Sequence, residues 1–109
     1  MAYDEGLAEQ MREDLGPLEG LTQRKMFGGL CFQLNGNMVC GVHKGGGMFR
    51  VGKSRYEAAL AIKGVEKLSF TGRPMGGMVE VSDAVMADDA VRGPLIDMAL
   101  ENARSLPPK

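Results

Sequence analysis

At 109 residues, with 44% hydrophobic and 25% charged side chains, the chain has the size and composition of one globular domain spanning 1–109. No apolar run approaches the ~20 residues that span a bilayer, and two cysteines are too few for a disulfide-built secreted scaffold. A net charge of −1 argues against a general nucleic-acid binder.

The charge is unevenly spread. Residues 1–22 hold one basic and six acidic side chains, residues 23–79 nine and two, and residues 80–109 three and six. A basic middle between acidic ends suits an acidic partner, unless the signs interleave on folding. The opening MAYDEGLAEQ lacks the basic and apolar blocks of a secretory signal. Cytoplasm is the expected compartment, with no membrane role.

In chain order, Tyr3, Leu7, Met11 and Leu15 recur every fourth residue beside Ala8, one apolar helical stripe. Gly16-Pro17 stops it. Next comes KMFGGLCFQLNGNMVCGV, in which Asn35-Gly36 is a two-residue hairpin signal, because both residues tolerate positive φ. Pairing Leu34 with Asn37 predicts that Phe32 meets Val39 and Cys31 meets Cys40. One face then carries Leu30, Phe32, Leu34 and Val39, the other Cys31, Gln33, Met38, Cys40 and Val42. Gly28-Gly29 reads as a bulge or bend. These glycines lead into a strand, whereas a phosphate loop needs glycines that open a helix.

His43 to Gly47 reads as a second turn, and Met48–Val51 as a returning strand. Ser54 with Glu57 has the spacing of a capping box for a helix from about Arg55 to Lys63, closed by Gly64. Lys67–Phe70 and Met78–Val81 read as strands joined by a turn-rich TGRPMGG. Ser82 caps a short helical turn. Leu95, Ile96, Ala99, Leu100 and Ala103 make a final helical stripe, with Pro94 suited to its first position and any earlier turn from Asp88 expected to bend there. The reading is α+β, a two-layer sandwich with helices over an antiparallel sheet, in the order α-β(3)-α-β(2)-α.

Few residues carry chemistry. The predicted register puts Cys31 opposite Cys40 at a close, non-hydrogen-bonded site, within reach of a disulfide and hence of a redox pair. The competing reading is two small core residues with protonated thiols. A lone histidine and two cysteines do not make a metal site, and His43 reads as an exposed turn residue. Arg73, on a glycine-rich loop, and the pair Arg24-Lys25 beside Phe27 are candidate contacts for a carboxylate or phosphate. The four phenylalanines read as core rather than as a base-stacking platform. No nucleophile with a spaced base is visible, so no catalytic residue, cofactor or enzyme activity is expected. Both hairpin faces are apolar, which predicts a second cover such as a homodimer partner.

Several stretches together resemble the N-terminal domain of the TfoX/Sxy family: Arg24-Lys25-Met26-Phe27-Gly28-Gly29, the Asn35-Gly36 hairpin, Phe49-Arg50-Val51, Phe70-Thr71-Gly72-Arg73-Pro74-Met75 and Ala103-Arg104-Ser105-Leu106-Pro107. The resemblance implies a two-layer fold of the secretion-chaperone-like type. It also implies a non-enzymatic regulatory role in bacterial competence, alongside a DNA-bound activator of the cyclic-AMP receptor protein type. Family members usually carry a further C-terminal domain. Direct nucleic-acid binding through residues 23–79 and a thiol sensor at Cys31 and Cys40 are the alternatives.

Overall fold

A computed structural model describes residues 4–26, 29–43, 45–69 and 74–107. Helix α1 (Glu5–Leu15) precedes four strands, β1 (Leu21–Met26), β2 (Gly29–Leu34), β3 (Asn37–His43) and β4 (Gly46–Arg50). A 3-10 turn at Lys53–Arg55 leads into α2 (Tyr56–Leu60). Strands β5 (Glu66–Ser69) and β6 (Pro74–Ser82) follow, then α3 (Asp83–Met86) and α4 (Asp89–Ser105). The strands form one antiparallel sheet in the order β1-β2-β3-β4-β6-β5. Buried residues of all four helices join a single core with one face of that sheet. The fold is α+β, as the sequence predicts, with one strand more: four strands, not three, precede α2.

The turn at Asn35-Gly36 forms as expected, with φ of 53° and 86° at its two residues. Leu34 pairs with Asn37 and Gln33 with Met38, again as predicted. There the predicted register ends. Between Gln33 and Phe32 the pairing slips, so that Phe32 meets Cys40, Cys31 meets Gly41 and Leu30 meets Val42. Val39 is the extra residue of a β-bulge, and both Val39 and Cys40 turn into the helix-covered core. Because side chains alternate with a period of two, one inserted residue moves everything beyond it to the other face. Cys40 and Val42 therefore join Leu30 and Phe32, the reverse of their predicted side.

The helices start and stop for local reasons. Asp4 caps α1 by accepting from the N–H groups of Gly6 (2.8 Å) and Leu7 (3.2 Å). Gly16 leaves it at φ 69°. Ala8, Met11 and Leu15 are buried from the predicted stripe; Tyr3 lies outside the described residues. The expected Ser54/Glu57 capping box is absent. Ser54 sits inside the 3-10 turn, no side chain caps α2, and the helix is confined to Tyr56–Leu60. Ser82 does cap α3, its hydroxyl accepting from Val85 N–H at 3.3 Å. The last helix starts earlier than predicted: Asp88 caps it, and it runs through Pro94 rather than beginning there.

The face opposite the helices holds a smaller cluster of Cys31, Met48, Leu68 and Met78, with half-buried Met38 against it. These four are at most 7% exposed within the one chain. The cluster is thus buried within one chain, while Thr22 and Arg24 on the same face are exposed.

Candidate interaction edge

Arg24 and Lys25 lie on β1, an outer strand of the sheet whose neighbour is β2. Thr22, Gln23, Arg24 and Lys25 are all exposed. Cross-strand partners share a face. Gln23, opposite Phe32, and Lys25, opposite Leu30, thus stand on the helix side, while Arg24, opposite Cys31, stands on the other. The sequence grouped Arg24 and Lys25 as one basic pair, whereas the strand splits them across the two faces. Neither forms an ion pair among the described residues. Arg73, the third predicted contact, lies outside the described residues, as do Phe27 and Phe70.

Beside β1 the margin of the helix layer forms a shallow groove of about 340 Å³, lined by Arg12, Leu21, Thr22, Gln23 and Phe32. Arg12 frames it. Its guanidinium donates to Gln23 Oε1 from Nε (3.3 Å) and Nη2 (3.0 Å), pairs with Glu9, and stands 5.8 Å from the centre of the Phe32 ring. That cation–ring contact at a partly exposed site is worth about 0.5–1 kcal/mol. Phe32 and Phe49 are core residues, 1% and 0% exposed, as predicted.

The thiols lose the geometry on which a redox pair was predicted. With Cys31 opposite Gly41 and Cys40 opposite Phe32, the two side chains look to opposite faces of the sheet, and both are free. Burial pushes the Cys31 thiol up to about 11. Burial raises Cys40 further, with smaller contributions from Cys31 and Asp14. Reactive thiols need the opposite shift.

Two polar features escaped the sequence reading. His43 is not an exposed turn residue; it closes β3, and its side chain is 16% exposed. Its Nδ1 accepts the Gly45 N–H at 3.0 Å, which leaves the proton of the neutral ring on Nε2, 3.7 Å from Glu80 Oε2. Arg92, 3% exposed, ties α4 to α1 and α3 by donating to Asp14, Asp89 and, at 2.7 Å, the Met86 carbonyl. Burial opposes its charge, but the hydrogen bonds and charges of Asp14 and Asp89 outweigh that and hold the guanidinium above its ordinary value. Periodicity gives no hint of either, because Asp14 and Arg92 are 78 positions apart.

The TfoX N-terminal domain family matches residues 13–103, from the second half of α1 to near the end of α4. The chain belongs to the TfoX N-terminal domain family. No curated protein and no solved structure matches it. The family span contains the whole sheet, the β1 edge and both thiols. No grouping of three or more His, Cys, Asp or Glu side chains suited to a metal occurs among the described residues, and no described helix is long and apolar enough to cross a membrane.

Proposed function

We propose that this TfoX-like module is a non-enzymatic regulator that works by protein contact in the bacterial cytoplasm, next to a DNA-bound activator of the cyclic-AMP receptor protein type. The observation that carries the reading is the exposed edge of β1. Four consecutive exposed residues, two of them cationic, stand on a strand with no described strand on its outer side, inside the segment that the family matches. The thiols are buried, and that edge is the surface best suited to a partner.

The test immobilises the chain and offers purified activator on its promoter DNA, the activator alone, and the DNA alone. Retention of the activator–DNA complex with no retention of bare DNA is the expected result. Retention of bare duplex, falling with salt at about 0.9 in log–log slope per phosphate contacted, transfers the function to direct nucleic-acid binding. Retention of nothing removes the regulatory reading.

A further inference from the structure

We propose that β1 accepts an extended, acidic segment of a partner protein as a seventh strand of the sheet. The proposal rests on the protein-contact reading above and adds to it the chemistry of what is recognised.

An antiparallel strand directs the N–H and C=O of every second residue away from its partner. On β1 those outward groups meet no other described strand. A peptide laid along them forms main-chain hydrogen bonds, which supply affinity, while its alternating side chains meet the two faces, which supply selectivity. Opposite Lys25 and Arg24, consecutive peptide residues fall on opposite faces, and each meets a cation. The next residue, opposite Gln23, returns to the helix side at the groove of Leu21, Phe32 and Arg12. The strand therefore asks for two acids followed by an apolar residue.

Charge decides the occupant. β1 reads Leu-Thr-Gln-Arg-Lys-Met and β2 Gly-Leu-Cys-Phe-Gln-Leu, so two cations stand here with no carboxylate on either strand. The other outer strand differs: β5 has four residues, with Glu66 and Lys67 of opposite sign side by side. Cations along an edge discourage copies of the same strand from pairing with it, and the same charges favour an anionic one. Nucleic acid fits less well, because a phosphate backbone has no alternating N–H and C=O groups to pair with the outward main chain of β1.

The probe is a labelled peptide bearing Glu-Glu-Val in an extended, threonine-rich context, titrated against the full chain. Binding that weakens with added salt, together with slowed amide exchange along β1, is expected. The double variant Arg24→Glu/Lys25→Glu should weaken it by about tenfold. Both positions are exposed, so the melting midpoint should not move; if it does, the milder Arg24→Gln/Lys25→Gln pair is read instead. N-methylation of alternate peptide amides should abolish binding, since it removes main-chain donors and leaves the charge. Equal affinity in both charge variants, indifference to N-methylation, or equal binding of a Lys-Lys-Val peptide overturns the proposal. So does slowed exchange on β1 caused by self-association in place of peptide, or competition for β1 by duplex DNA. The two readings fail separately. If the double variant still retains the activator–DNA complex, the edge is wrong and the regulator stands. If the peptide binds but the activator is never retained, the edge stands and the regulator falls.

Discussion

Cys31 and Cys40 belong to neighbouring strands of one hairpin but to different interiors. Cys40 is packed with Phe32 and Val42 under the helices, in a core to which four helices and five strands contribute. Cys31 lies across the sheet in a cluster of strand residues alone, with Met48, Leu68 and Met78. A single bulged residue, Val39, separates these fates. The two clusters are both dry but unequally supported. Rigid helices back one, whereas long unbranched side chains dominate the other.

Neighbouring residues test that difference most directly. Phe49 and Met48 are adjacent on β4, both 0% exposed, one on each face. Phe49→Ala empties a site walled by helices that cannot close over it, and should cost about 4 kcal/mol. Met48→Ala should cost about 2 kcal/mol, at the low end for its type, because Met38 and Met78 are flexible enough to move into the space. Chemical denaturation of both variants checks the pair. Equal losses would mean that the strand-only cluster is as rigid as the main core.

What the sequence shows and hides follows the same division. The Asn35-Gly36 turn was legible because its cause is local: two residues that accept positive φ. The bulge was not. Val39 is an ordinary strand residue, and nothing in Met38-Val39-Cys40 announces an insertion, so the predicted facing was right up to Gln33 and reversed for Cys40 and Val42. β1 was missed because an outer strand with exposed side chains shows no alternation of apolar and polar residues to find. Charge beside an aromatic residue marks its Arg24 and Lys25 in the sequence; the strand that presents them, and the groove that Arg12 and Phe32 build beside it, require the fold. Arg92 illustrates the remaining gap. In a helical pattern an arginine reads as solvent-facing, and only the packing of α1 against α4 supplies the acid that keeps it buried.

A change at the turn should weaken both faces together, and so provides the control for the adjacent pair. Gly36 holds φ 86°, where any Cβ is strained. Gly36→Ala should cost about 1 kcal/mol, with no preference for either face in amide exchange. Disproportionate opening of one face would show that the turn, and not the bulge, sets the difference between them.

The smallest effect concerns the thiols. Below the ordinary value of 9.0 the folded and unfolded chains both keep the Cys31 proton. Between pH 9.0 and about 11 the unfolded chain releases it while the buried group retains it. The folded state then binds more protons than the unfolded one, and linkage requires stability to fall as pH rises through that window. Cys40, raised in the same direction, extends the decline to higher pH. A melting series across the window should therefore be flatter for Cys31→Ala than for the parent chain, with the variant's own packing loss appearing as a constant offset at neutral pH. Intact-mass measurement after mild oxidant at neutral pH should find both thiols unmodified in the folded chain. A bridge between positions 31 and 40 under those conditions would mean that Cys40 can leave the helix-covered side, and the slipped register would have to be a minor state of the hairpin.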